Sequence, residues 1–128
     1  MAASTAPIPD LAGLPVARFD EKAVIFLHGE PADDAYLLVS GQVAILAPNA
    51  AGELVQFAVV APGQIFGEMA LIMNAPRTAM AVAEVTSVCV AINREALARE
   101  MAKADPFLRF WINYMSGRLA DVSQRAGR

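Results

Sequence analysis

Short apolar runs recur along most of the chain, and each is ended by Gly, Pro, Asn or Asp. Val24-Ile25-Phe26-Leu27 is followed by Tyr36-Leu37-Leu38-Val39 and Val43-Ala44-Ile45-Leu46, then by runs at 54–60, 79–85 and 88–92. Strand-length runs separated at even intervals by turn signals specify an all-β sandwich or barrel. Ser40-Gly41 predicts a tight hairpin, residues 49–52 a longer hairpin loop, and Pro62-Gly63 a further turn.

The pattern turns helical after Ile92. Asn93 suits the N-cap of a helix running to about Lys103, because its side chain can accept from the first unpaired amides. Asp105-Pro106 opens a second helix, with Asp as cap and Pro in the first turn. Leu108, Trp111, Met115, Leu119 and Val122 then fall at spacings of three and four, on one stripe. The expected fold is mainly β with C-terminal helices. It is an eight-stranded jelly-roll barrel over 16–92, carrying one short inserted helix and closed by helices over 93–126, the last of them long. Residues 1–15, rich in Ala and Pro, are expected to form a loose tail with one helical turn around 11–14.

A chain of 128 residues fits one domain that needs no disulfide or metal staple. At 56% hydrophobic and 18% charged residues it lies far from the composition of disordered chains. Mean hydropathy is positive, yet no stretch reaches the roughly 18 uncharged apolar residues of a spanning helix. The first ten residues hold no Lys or Arg and no apolar core, unlike a secretory signal. Cys89 is the only cysteine, so no internal disulfide can form, and a cytoplasmic location is expected. Its place in an apolar run predicts a core residue.

Net charge is −3, and the late arginines Arg118, Arg125 and Arg128 are interrupted by Asp121. That reads as a solvated helix end, and direct DNA binding is not expected. His28 is the only histidine, which excludes a His-rich metal site and weighs against a jelly-roll metalloenzyme. No nucleophile–base pair or carboxylate dyad stands out, so no catalytic residue is assigned.

The stretch from 63 to 84, GQIFGEMALIMNAPRTAMAVAE, breaks the strand pattern. Gly67-Glu68-Met69-Ala70-Leu71-Ile72 reads as a short helix between strands. Gly67 allows close backbone approach, and a helix start favours an anion. Arg77 follows a Pro near the start of the next strand and could grip a phosphate with two parallel hydrogen bonds. Glu68 suits a sugar hydroxyl, as an acidic residue does in dinucleotide sites. A competing interpretation is a Glu68–Arg77 surface ion pair, worth about 0–1 kcal/mol.

Phe66-Gly67-Glu68-Met69-Ala70-Leu71 followed by Ala75-Pro76-Arg77-Thr78-Ala79 resembles the phosphate-binding cassette of cyclic-nucleotide-binding domains. That family includes the catabolite activator protein, kinase regulatory subunits and gated channels. Residues 26–33 and 36–43 are similar to the family's early barrel, and the resemblance covers about 16–123. It implies a 3′,5′-cyclic purine nucleotide as ligand, cAMP favoured over cGMP, and a non-enzymatic sensor or regulatory module. Gly67 would let the cassette backbone pack on the sugar-phosphate, and Glu68 would accept the ribose 2′-hydroxyl. Met69 and Ala70 would offer amides, Arg77 would pair with the phosphate, and Thr78 would lie beside phosphate or base, with Phe66 and Ala79 flanking.

The resemblance also implies a lid from the last helix, with Trp111, Tyr114 and Ser123 as candidates. Trp111 and Tyr114 as plain core residues is the competing assignment. Val122-Ser123 holds one hydroxyl residue where relatives place more, which weakens the case for strict adenine selectivity. The helix-turn-helix of the catabolite activator has no counterpart in the chain. The implied partners are a cyclic nucleotide, an effector protein and a second copy of the chain through the C-terminal helix. A module that keeps the fold but has lost its ligand, or a regulatory piece of a larger protein, is the alternative.

Overall fold

The computed structural model describes residues 13–111 and Tyr114. The described residues form eight strands and a short helix followed by a longer one: β1 (Val16–Phe19), β2 (Val24–Phe26), β3 (Asp34–Ser40), β4 (Val43–Pro48), β5 (Leu54–Val60), β6 (Ile65–Phe66), α1 (Glu68–Met73), β7 (Met80–Ala83), β8 (Ser87–Asn93) and α2 (Arg94–Lys103). The strands make two antiparallel four-stranded sheets, in the orders β1-β8-β3-β6 and β2-β7-β4-β5. The core lies between them: Phe26, Leu38, Val43, Val60, Phe66, Ala81 and Cys89 are buried together, with Phe19, Ile25, Tyr36 and Ile45 against them.

The expected loop at 49–52 is a hairpin joining the paired strands β4 and β5. Asn49 Oδ1 accepts from the amides of Ala51 (2.9 Å) and Glu53 (3.0 Å), which replaces ladder bonds lost at the turn. The Ser40-Gly41 segment is different from its expectation. β3 pairs with β6 and β8, whereas β4 pairs with β5 and β7. Gly41 therefore carries the chain from one sheet to the other and closes no hairpin. Its φ of 104° lies in the left-handed region. Ser87 fills the space beside it, its hydroxyl bonded to the carbonyls of Gln42 (3.3 Å) and Val85 (2.8 Å). Turn chemistry encodes the reversal but not which sheet receives the chain.

Asn93 does cap α2, its Oδ1 accepting from the Ala96 amide at 2.7 Å. Asp105 accepts from the Phe107 amide at 2.9 Å, and the chain is helical again from 106. The stripe expected beyond it behaves otherwise. Leu108 and Trp111 are exposed, as are Phe107, Phe110 and Tyr114, so the core assignment for Trp111 and Tyr114 does not hold. Met115, Leu119, Val122 and Ser123, and the turn expected at 11–14 except for its last two positions, lie outside the described residues. Among the described residues no helix is long and apolar enough to cross a membrane.

Cys89 is fully buried in the core, and desolvation pushes its thiol up from 9.0 to about 11. A buried neutral thiol that ionises more readily once unfolded makes the fold lose stability as pH rises from 9.0 towards about 11. At about pH 8 the thiolate is scarce and shielded. Iodoacetamide should therefore label Cys89 no faster than the protein unfolds; rapid labelling of the native state would contradict this burial.

Candidate functional site

The segment that breaks the strand pattern builds one wall of a cavity of about 330 Å³. β6 ends at Phe66, whose ring enters the core, and the chain turns at Gly67 with φ 77°. α1 then runs six residues and stops at Asn74, which adopts φ 53° and returns its amide to the Ala70 carbonyl. The amides of the first helical turn have no intrahelical acceptor. Ala70 and Leu71 are buried and pin this short helix to the sheets. Arg94 ties it further, donating from Nη1 to the Leu71 carbonyl (2.8 Å) and from Nη2 to the Ala32 carbonyl (3.0 Å).

Arg77 follows in the segment leading to β7. Its backbone is fixed against the β2–β3 loop: its amide donates to the Glu30 carbonyl and its carbonyl accepts from the Gly29 amide, both at 2.8 Å. The side chain is buried, with 5% of the residue exposed. Nη1 donates to the Gly67 carbonyl at 2.8 Å and Nη2 to the Asp34 carbonyl at 2.6 Å. Nε is buried and has no hydrogen-bond partner. Burial lowers the pKa of Arg77, opposed by the charges of Tyr36, Asp34, Asp33 and Glu30. Among the described residues the ion pairs are Arg18–Asp20, Arg99–Glu95 and Lys103–Glu100, all on the surface. The Glu68–Arg77 surface pair considered from the sequence is therefore not what the fold makes of these residues.

Phe66, Gly67, Glu68, Met69, Ala70, Arg77, Thr78 and Ala79, named from the sequence, all line the same cavity. Trp111 and Tyr114 do not; with Phe107 and Phe110 they line a separate open hollow. The cavity's apolar side is completed by residues the sequence does not single out, among them Phe26, Ile45, Phe57, Val59 and Ile65. Phe57 is 62% exposed in a strand that has β4 as its partner on one side. The period-two placement of Val55, Phe57 and Val59 was the available signal. Gln64 also lines the cavity, its Oε1 accepting from the Ala61 amide at 2.9 Å. The arrangement offers one buried cation, a carboxylate, free helix-start amides and an apolar wall. That set can hold a small anion joined to a flat apolar group. Among the described residues no cluster of His, Cys, Asp or Glu could hold a metal.

The family model for the cyclic nucleotide-binding domain matches residues 16–104, more than half of the chain. The chain is 36% identical over 86 residues to a cGMP-dependent protein kinase of Eimeria tenella, covering 67% of this chain and 8% of that one. It is 30% identical over 95 residues to a cAMP-dependent protein kinase regulatory subunit of Dictyostelium discoideum, covering 72% and 29%. It thus spans less than a third of either relative's length. Among solved structures, the catabolite activator protein of Thermus thermophilus superposes with a TM-score of 0.71 at 25% identity, over 89% of this chain and 52% of that one. The EAL enzyme Bd1971 in its cGMP-bound form gives 0.73 at 26% identity, over 88% and 30%. The family model reaches from β1 through α2 and so takes in both sheets and every residue of the cavity; the chain belongs to the cyclic nucleotide-binding domain family.

Proposed function

We propose that this domain binds a 3′,5′-cyclic purine nucleotide, cAMP in preference to cGMP, and acts as a non-enzymatic cytoplasmic sensor for a partner effector protein. The observation that carries the reading is Arg77, a buried guanidinium on the cassette cavity with an unpartnered Nε–H. Leaving such a donor unpaired costs about 1–3 kcal/mol, which an incoming anion can offset. Arg77 takes the cyclic phosphate, with the amides of Met69 and Ala70. Glu68 accepts the ribose 2′-hydroxyl, and Thr78 lies beside phosphate or base. The purine rests on the apolar wall of Phe57, Val59 and Ile65. A cGMP-dependent protein kinase and a cAMP-dependent protein kinase regulatory subunit are among the relatives, one named for each nucleotide.

The strand orders 1-8-3-6 and 2-7-4-5 suit a jelly roll, in which two sheets share the eight strands. The helix beginning at 106, with Trp111 and Tyr114 exposed on it, serves as lid or dimer seam. Light scattering separates the two roles: a dimer supports the seam, a monomer with and without nucleotide leaves the lid.

Ligand at about one hundred times Kd adds about 2.7 kcal/mol to the folded state by mass action, a rise in Tm on the order of 10 °C. The domain should show such a rise with cAMP, and a smaller one with cGMP. No shift with either nucleotide at about 1 mM sinks the sensor reading and leaves an interaction module.

A further inference from the structure

Arg77 is oriented by carbonyls and by a ring, not by a carboxylate. Its guanidinium carbon stands 4.1 Å from the centroid of Phe26. Phe26 ends β2 and is buried, with 8% of the residue exposed. Its ring lies near-parallel to Tyr36 (6.3 Å, 21°) and tilted to Phe66 (6.2 Å, 30°). Tyr36 in turn stacks on Phe66 at 5.4 Å and meets Phe19 edge-on at 6.1 Å. The Phe26 face is therefore held from several sides. Gly67 closes the arrangement. A Cβ there would stand 2.7 Å from Arg77 Nη1 and 3.2 Å from Phe26 Cε2. The space a side chain would use at residue 67 is already taken by the guanidinium and the ring.

We infer that Phe26 is a positioning residue for Arg77: its ring fixes the plane of the guanidinium against the cassette, and Gly67, glycine at φ 77°, leaves open the space that this pair fills. This rests on the cyclic-nucleotide reading above. Two bonds to carbonyls restrain the amino groups of Arg77 but leave the plane free to tilt. A ring face beneath a weakly hydrated, planar cation removes that freedom. A leucine at 26 would keep apolar volume but has no π-face.

Phe26→Leu, alone and combined with Arg77→Ala, gives the test. Phe26→Leu should weaken cAMP by about 5- to 30-fold, the size of a desolvated cation–π contact. In the Arg77→Ala background the same change should alter affinity by less than about twofold, because the ring would have nothing left to orient. Equal losses in both backgrounds, or a Phe26→Leu protein within about twofold of wild type, would overturn the inference. The wild-type protein without ligand provides a second readout that needs neither variant to fold nor nucleotide to bind. Stacking predicts Arg77 guanidinium protons shifted upfield by the ring and slow to exchange with water. Resonances at ordinary positions with fast exchange overturn the positioning role. If these signals are shifted but neither cyclic nucleotide binds, Phe26 positions Arg77 and the nucleotide reading alone fails.

Discussion

Replacing Arg77 by alanine should weaken cAMP binding by about 30-fold to several thousand-fold. A cyclic phosphate brings one negative charge and must shed water to enter the cavity. Arg77 is the cation among the residues lining it; the start of α1 adds a partial charge worth about 0.3–1 kcal/mol. Truncating one member of a buried charge pair costs about 2–5 kcal/mol, and each 1.4 kcal/mol is tenfold. Arg77→Lys should recover only part of the loss, since an ammonium cannot donate to Gly67 and Asp34 carbonyls as a planar fork and still face the ligand. The change costs two hydrogen bonds to carbonyls and removes one unpaired buried Nε–H, so part of the stability loss is offset and the fold should survive. Competition with a fluorescent cAMP analogue reads the affinity. An Arg77→Ala protein within about threefold of wild type shows that the phosphate goes elsewhere.

Gly41→Ala should destabilise the domain by about 2–5 kcal/mol, from backbone strain at a left-handed φ and from overpacking. A Cβ at residue 41 would stand 2.3 Å from Ser87 Oγ and 2.7 Å from both Ser87 Cα and Cβ. One of these neighbours is backbone, so the clash cannot be relieved by a side-chain rotation. Ser87 is also held, its Oγ accepting from the Gln42 amide at 3.2 Å and its Cα lying in β8. Neither Gly41 nor Ser87 lines the cavity, so nucleotide affinity of the folded fraction should change little. Urea unfolding measures the loss, and a change below about 0.5 kcal/mol would show that the sheet crossover is softer than its geometry.

The strands were legible because turn chemistry is local. Asn49 reverses the chain through bonds to residues 51–53, and the turn at 61–64 closes through the Gln64 amide on the Ala61 carbonyl, so both signals are local. The partner of each strand was not legible: Ser40-Gly41 looks like a hairpin turn, yet β4 pairs with β5 and β7 in the other sheet, and the residue packed against Gly41 is Ser87, 46 positions beyond it. The cassette side of the cavity was legible as a contiguous motif. Its apolar side was not, because Phe26, Ile45 and Phe57 come from three strands and resemble ordinary core residues. The environment of Arg77 was also hidden. Nothing in its sequence position announces carbonyls of residues 67 and 34 as its partners, and without them an arginine belongs on the surface. The exposed aromatics from Phe107 to Tyr114 carry helical spacing, and spacing alone does not say whether a stripe meets its own domain.

Calorimetric titration of the wild-type chain with cAMP and with cGMP tests the central claim most directly. The account predicts saturable binding of one nucleotide per chain with Kd in the micromolar range or tighter, about −8 kcal/mol or better, and with cAMP the tighter ligand. Absence of heat for both nucleotides at about millimolar concentration, from protein shown to be folded, would contradict it.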